Sequence, residues 1–472
     1  MEPARVHITA YGCQMNRLDA ELVRALLRAA GAEVVEDPGA ANVLLFLTCS
    51  VRAHAENRVF SNIGALAARK QREPDLVIGL LGCTAQQYGE RVWERAPLAD
   101  VVCGPGRLAE LPALIDQARA GRRARALDPR RGEASAEAFG PADSRLDGIE
   151  VRGREGERSD RRAFVRATRG CDMFCSYCVV PYVRGPERSR PPRAVTEEVR
   201  RLVDGGVREV TLLGQAVNRY AGEDGGRMWD LADLLAEVAA TPGLTRLRFI
   251  TSHPTALTPR LASVFRDVPA VCPYLHMPAQ SGSDAVLARM NRGYAAAEYL
   301  DRVAMVREAA PEVAVASDFI VGFPGESEAD FEATLDLVRR ARFAQCFVFK
   351  YSPRPGTTAA RRYVDDVPPE EKRRRNQELL NVVSQVAAEE NQKLVGREVE
   401  VLVESPGPRP HLNAEGRERR THAGWIQWRG RTRCHRLVVF DGPPGLRGEE
   451  VTVRVERAAA VTLFALFCET TA

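Results

Sequence analysis

No apolar run in this 472-residue chain approaches the roughly 18 to 20 residues that span a bilayer. The opening Met1-Glu-Pro-Ala-Arg-Val-His7 also lacks the apolar core of a signal peptide. A cytoplasmic protein without membrane contact is expected. Cysteine is sparse: 11 residues are too few for a secreted disulfide scaffold, and in a reducing compartment grouped cysteines point to metal or redox chemistry. No internal repeat stands out. The formal charge of +4 decides nothing about partners until the arginines are located. What is present is ordinary globular material, 45% hydrophobic, in a chain long enough for about three domains.

The most informative stretch is Arg169-Gly-Cys-Asp-Met-Phe-Cys-Ser-Tyr-Cys-Val-Val-Pro-Tyr-Val-Arg-Gly185. Its spacing lets one turning segment aim Cys171, Cys175 and Cys178 at a common centre. A mononuclear zinc site usually takes four protein ligands, whereas a cubane cluster has four irons to ligate. Three thiolates leave one iron open to a small chelating molecule. A zinc knuckle with a distant fourth ligand, or three unrelated buried thiols, are the alternatives. The C-x3-C-x2-C spacing resembles the signature of radical S-adenosylmethionine (SAM) enzymes.

Residues 1–121 alternate strand-like runs (Val6–Ala10, Val43–Leu47, Leu76–Leu81) with helical patterns, which predicts an α/β domain with a mostly parallel sheet. Cys13, Cys49 and Cys83 each follow one of these runs. Thiols beyond the carboxyl ends of parallel strands converge on the ligand crevice of such a sheet, so a second metal site is expected. Three small buried hydrophobes are the bland alternative. Residues 122–162 are rich in Arg, Glu, Asp, Gly and Ala and read as a charged linker.

From 163 to 390, six strand candidates separated mostly by helical patterns predict a partial parallel (β/α)6 barrel, with the cysteine loop following the first strand. The loops Leu212–Asn218, Thr251–Pro254, Leu275–Ser283 and Ser317–Glu326 fall at one rim and carry Gly and small polar residues. His253 and His276 are isolated and read as structural. Pro369–Lys393 is a long amphipathic run into the last domain, 391–469, where four short alternating strands predict a small β-barrel. Arg417, Arg419, Arg420, Arg429, Arg431, Arg433 and Arg436, interleaved with Trp425 and Trp428, suit RNA, or else a solvated face over core tryptophans. Cys103, Cys272, Cys346, Cys434 and Cys468 lack metal spacing and read as structural thiols. The tail Val461–Cys468 is uninformative.

Tyr11-Gly-Cys-Gln-Met-Asn16, Leu47-Thr-Cys-Ser-Val-Arg52 and Leu81-Gly-Cys-Thr-Ala-Gln86 resemble the three cysteine motifs of the radical SAM methylthiotransferases. Those motifs hold an auxiliary [4Fe-4S] cluster in that family. The rim loops and Phe349-Lys-Tyr-Ser-Pro-Arg-Pro-Gly356 resemble its SAM-binding core, and Gly430-Arg-Thr-Arg433 its RNA-binding TRAM domain. The resemblance covers nearly the whole chain apart from the linker. It implies two [4Fe-4S] clusters, on Cys13, Cys49 and Cys83 and on Cys171, Cys175 and Cys178, with Gly214, Gln215, Asp318 and Gly322 as candidates for holding SAM. Gly12-Cys-Gln-Met-Asn16 and Cys178-Val-Val-Pro-Tyr182 look like the MiaB type, which acts on prenylated adenosine in tRNA. The MtaB type (threonylcarbamoyl-adenosine in tRNA) and the RimO type (an aspartate of a ribosomal protein) are alternatives. Asp172 and Ala216 depart from the family, which usually has Asn at both. The implied reaction is methylthio insertion at C2 of N6-isopentenyl-adenosine at position 37, next to the anticodon. A radical formed from SAM activates the C–H bond, and the auxiliary cluster carries the sulfur. The implied partners are the tRNA anticodon stem-loop and an electron donor, with the protein a monomer. A zinc-containing RNA-binding protein without enzymatic activity is the alternative of a different class.

Overall fold

The computed structural model describes residues 3–50, 53–129, 161–407 and 424–468. Six parallel strands form the amino-terminal sheet in the spatial order Glu33–Val34, Arg5–Ala10, Val43–Thr48, Val77–Gly82, Val101–Cys103, Ala124–Ala126. Every residue of Val43–Thr48 and Val77–Gly82 is buried, because helices cover both faces of a parallel sheet. One face packs Val6, Leu45 and Val101 against Val23, Leu27 and Leu111; the other packs Leu44, Phe46 and Ile78 against Val59 and Ile63. Strand order reverses between Arg5–Ala10 and Val43–Thr48, which makes their carboxyl ends the topological switch point.

The last strand, Ala124–Ala126, lies inside the stretch expected to be linker. Its two alanines are buried on either side of exposed Arg125, and they join the core beside the helix Leu111–Arg119. Two small apolar residues suffice to extend a sheet edge that a helix already covers, a signal too weak to emerge from the surrounding charges. The rest of the expected linker, 130–160, lies outside the described residues.

In the core domain Arg162–Arg166, Glu209–Leu213 and Arg246–Ile250 pair in parallel, as do Tyr274–His276, Ala314–Val321 and Gln345–Lys350. A single parallel bridge, Leu247 to Val271, and the hydrogen bond from Ser252 N to His276 O (3.0 Å) link the two halves, giving the six-stranded partial barrel in sequence order. Side-chain caps start its helices where the loops end: Ser327 and Asp330 form a capping box on Glu328–Ala341, and Ser283 caps Asp284–Arg289. The helix Pro369–Gln392 packs on the last strand and leads to a closed five-stranded barrel.

That barrel orders its strands Glu398–Pro406, Ile426–Thr432, Leu437–Gly442, Thr462–Phe467, Glu450–Ala458. The tail that was uninformative in sequence is thus the closing strand, parallel to Leu437–Gly442 and antiparallel to Glu450–Ala458. Its inward residues, Leu463 and Ala465, are unremarkable alone and acquire meaning only from the two strands they join. The barrel docks on the core through buried arginines. Arg248 donates to Arg433 O (2.6 Å) and Thr432 O (3.0 Å) while paired with Glu209 (3.0 Å), and Arg246 donates to Arg431 O (2.9 Å). No helix among the described residues is long and apolar enough to cross a membrane.

Candidate functional site

The three amino-terminal thiols sit where the switch point places them. Cys13 immediately precedes the helix Gln14–Ala29, Cys49 follows Thr48 directly, and Cys83 begins the helix Cys83–Tyr88. Gly12 has φ +113°, and a Cβ there would lie 2.4 Å from Cys49 Cβ, so only glycine lets the two loops meet. A hydrogen bond with Cys49 pulls the Cys13 thiol down to about 6, helped by the Arg184 charge and opposed by burial. Burial pushes the Cys83 thiol up, against the Arg184 charge. Arg184 Nε lies 3.2 Å from Cys83 Sγ, and Nη2 donates to Asp19 Oδ2 (2.8 Å) and Asn16 Oδ1 (3.3 Å). Cys83 also packs on Val179 and Val183 of the core, just beyond Cys178.

The core loop is held from outside rather than by its thiols. Gly170 has φ +74°, and a Cβ there would fall 1.9 Å from Pro186 O; Cys171 N donates to Gly185 O (3.2 Å), closing the base of the loop. Ser176 donates through N to Met290 O (2.9 Å) and through Oγ to Arg289 O (2.8 Å), and accepts from Ala359 N (2.7 Å). Asn291 Nδ2 donates to Phe174 O (3.0 Å). Burial raises the Cys171 thiol to about 11, and burial followed by the Cys175 charge raises Cys178. Arg292, fully enclosed, donates to Cys175 Sγ (3.3 Å) and Pro278 O (2.8 Å).

Among the described residues no three His, Cys, Asp or Glu side chains close tightly enough to hold one metal ion. Each set supplies three thiols, one short of the four protein ligands a structural zinc usually takes and the number that leaves one iron of a cubane open, so the donor chemistry fits a cluster. Some of the buried polar atoms without a hydrogen-bond partner lie at these strand ends: Ser50 Oγ and Thr84 Oγ1 beside the first set, Gln215 Oε1, Ser252 Oγ and His253 Nε2 on the core rim. Buried polar groups are normally satisfied, so the rim atoms are available to a bound molecule. Phe174, Thr251 and Gln280 on the rim are held at φ +47°, +69° and +72°.

Of the four candidates for holding SAM, Gly214 and Gln215 follow the strand Glu209–Leu213, and a Cβ on Gly214 would lie 2.1 Å from Thr168 Oγ1. Asp318 lies within Ala314–Val321 and meets His276 Nε2 at 3.3 Å. Gly322 has another structural reason: a Cβ there would lie 2.3 Å from Lys372 Cγ, and its N–H donates to Glu326. His253, read from sequence as structural, does cap the turn Pro254–Ala256, but its Nε2 is free on the rim. Burial, then the Arg292 charge, lowers it to about 3, so it is a neutral imidazole. Arg184 and Arg292, which contact the two thiol sets, were not singled out in sequence. For Arg184 the signal was an arginine placed in a run of mostly buried apolar residues; Arg292, between exposed Asn291 and Gly293, gave none.

The family described as the Radical SAM superfamily matches residues 165–338, and the Uncharacterized protein family UPF0004 matches residues 5–104, so the two matches divide the six cysteines three and three. A tRNA-2-methylthio-N(6)-dimethylallyladenosine synthase of Rhodopirellula baltica is 42% identical over 461 residues, covering 97% of this chain and 94% of that protein. This chain belongs to the tRNA-2-methylthio-N(6)-dimethylallyladenosine synthase family. Another synthase of this name, from Moorella thermoacetica, is 43% identical over 453 residues, or 96% of this chain and 95% of its own. The radical SAM methyltransferase TsrM of Kitasatospora setae shares the fold at TM-score 0.55 and 17% identity, covering 76% of this chain and 74% of that one.

In this synthase the arginines read as an RNA surface have divided roles. Arg417, Arg419 and Arg420 lie outside the described residues. Arg433 donates to Thr245 O (3.0 Å) and Pro269 O, Arg431 to His435 O (3.0 Å), and Arg436 to Asn391 Oδ1 (2.7 Å). Trp428 is buried with Nε1 on Pro443 O (2.8 Å), so it is a core tryptophan rather than a stacking platform. Exposed Arg429, bonded to Ser405 Oγ (2.6 Å), remains available to a polyanion. Arg429→Ala should therefore reduce the log–log salt slope of tRNA binding by about 0.7 to 0.9 without changing the melting temperature. Arg433→Ala should instead cost about 2 kcal/mol of stability through its lost charged hydrogen bonds. Filter binding across a salt series and calorimetry check both, and the opposite assignment of effects would refute this division.

Proposed function

We propose that this chain transfers a methylthio group to C2 of N6-dimethylallyl-adenosine beside the anticodon of tRNA, in the cytoplasm, as a monomer fed by an external electron donor. The observation that carries the reading is the packing of Cys83 of the amino-terminal domain on Val179 and Val183 of the core, directly after Cys178. Cys171, Cys175 and Cys178 would hold one [4Fe-4S] cluster, and Cys13, Cys49 and Cys83 a second. Gly214, Gln215, Asp318 and Gly322 would line the SAM site. C2 of adenine bears an unactivated aromatic hydrogen, which no side-chain base can remove. The clusters and SAM, when bound, supply the one-electron chemistry and the sulfur. The chain's own part is to position and enclose. Its rim offers Gln215 Oε1, Ser252 Oγ and the uncharged His253 Nε2 to polar groups, and Val179 and Val183 pack on Cys83 and cover that side of the seam. By this reading the first domain runs to Asp128, the core to Gln392, and the barrel supplies a tRNA surface centred on Arg429.

A prenylated base is favoured over a threonylcarbamoylated one by an apolar strip inside the partial barrel. Phe347 and Phe349 are 41% and 36% exposed, unusual for large aromatics on a central domain's strand. They pair with Asp318 and Ile320 in parallel register, so the four side chains share the face opposite the helices. Ile320 and Tyr177 of the cysteine loop pack against one cluster, Val286, Met290, Phe323, Tyr351 and Ala359. Phe347→Ser should raise KM for prenylated tRNA about tenfold, the scale of losing contact with a methylene or two, with little change in kcat. An unaltered KM would remove this strip from substrate recognition.

The direct test is anaerobic reconstitution with iron and sulfide, followed by incubation with SAM, reductant and tRNA carrying dimethylallyl-adenosine. Mass spectrometry should find the 2-methylthio nucleoside. Modification only of threonylcarbamoyl-adenosine, or a protein that takes up zinc and shows no visible absorption, would overturn the proposal.

A further inference from the structure

Arg184 belongs to the core by sequence, six residues beyond Cys178, yet its side-chain hydrogen bonds among the described residues go to the amino-terminal domain: Cys83 Sγ, Asp19 Oδ2 and Asn16 Oδ1. Its side chain is 4% exposed and that of Asp19 is 2% exposed. Burying such a pair is weakly stabilising at best, because desolvation of both ions offsets their attraction. Stability alone gives little reason for the arrangement. Asp19 offsets part of the guanidinium charge, so the sulfur meets the remainder of that charge together with a directed N–H from the opposite domain. Hydrogen bonds to thiolate sulfur delocalise its charge and raise the reduction potential of a cluster bound to it.

Resting on the assignment of Cys13, Cys49 and Cys83 to a cluster, we infer that Arg184 is a positioning residue for that cluster: it donates to the Cys83 sulfur across the domain seam, so the amino-terminal site is complete only when the core is docked on it. The fork of the guanidinium permits this. Nε faces the sulfur while Nη2 grips Asp19 and Asn16, and the grip fixes the angle of the Nε–H bond. Lysine would keep the charge but cannot hold both partners in that geometry. Arg292 makes the corresponding contact to Cys175 from within the core, so each thiol set receives one buried guanidinium, but only Arg184 crosses between domains.

The test uses the full-length chain with Cys171, Cys175 and Cys178 all replaced by alanine, so that any remaining cluster is the amino-terminal one. Iron per chain and the midpoint potential, followed by optical and electron paramagnetic resonance titration, are measured with Arg184 and with Arg184→Met. The inference expects a lower potential, or loss of the roughly four irons of one cluster. Arg184→Lys should fall between the two. Arg184→Met leaves Asp19 buried without its cation, so Arg184→Met/Asp19→Asn restores charge balance and guards against misfolding; its potential should stay low because the N–H is still missing. Iron and potential both unchanged in Arg184→Met, or a potential restored by Asp19→Asn, would overturn the inference. A different result bears on the assignment beneath it: if the alanine background holds no iron, or keeps its iron after Cys83→Ala, the thiols do not hold a cluster at all.

Discussion

Cys178→Ala abolishes reductive cleavage of SAM and removes about half of the iron from a chain carrying two clusters. The same result is expected for Cys171→Ala and Cys175→Ala. The loss should stay confined to one set, because the loop is braced by Met290, Arg289, Asn291 and Ala359 rather than by its own sulfurs, so its path survives removal of one thiol. The second set hangs on a different sheet and keeps its ligands. Circular dichroism should therefore be unchanged, while anaerobic assay for 5′-deoxyadenosine gives none above background. Cleavage of SAM at the parent rate in any of the three variants would sink the assignment of the loop.

The second large effect separates cleavage from product. In Cys13→Ala, Cys49→Ala and Cys83→Ala, SAM is still cleaved in the presence of reductant, but 2-methylthio nucleoside is absent from the tRNA. No local segment holds these three thiols. They meet because Arg5–Ala10, Val43–Thr48 and Val77–Gly82 are neighbours in one parallel sheet and each ends at the same edge. Removing one leaves that sheet intact, since its cores on both faces contain Val6, Leu45 and Ile78 but not these sulfurs as essential packing. Chromatography of digested tRNA alongside the 5′-deoxyadenosine assay reads both halves of the expectation. Product formed by a chain lacking all three thiols would force another purpose on the amino-terminal domain.

The placement of the cysteines was legible in sequence, for different reasons. Cys171, Cys175 and Cys178 share one loop by their spacing, and Cys13, Cys49 and Cys83 follow three apolar runs that the fold makes neighbouring parallel strands. The strands of the partial barrel were legible because each mostly apolar run is bounded by a loop. The guanidinium contacts were not. A buried arginine is spelled like a surface one, and nothing near Arg184 in sequence points to Asp19 or Cys83, more than a hundred and sixty and a hundred residues away respectively. The same blindness joined Arg429 to Arg433 in one basic cluster, although one faces solvent and the other grips Thr245 and Pro269. Thr462–Phe467 escaped notice because a closing strand is defined by the two edges it bridges.

The way the barrel is fastened has a consequence for which positions tolerate exchange. Arg246 and Arg248 reach main-chain oxygens of residues 431, 432 and 433, and any amino acid supplies such an oxygen. On the core side, however, no other residue offers several N–H groups in one plane, so lysine at either position would leave acceptors unmet. Substitution is therefore restricted on the core side and, on the barrel side, where a side chain reaches across: Arg433, and Glu404, Glu449 and Glu450, which pair with Arg162, Arg161 and Arg246. A barrel bearing a different outer surface, and so a different taste in RNA, could be grafted onto this core with its attachment intact.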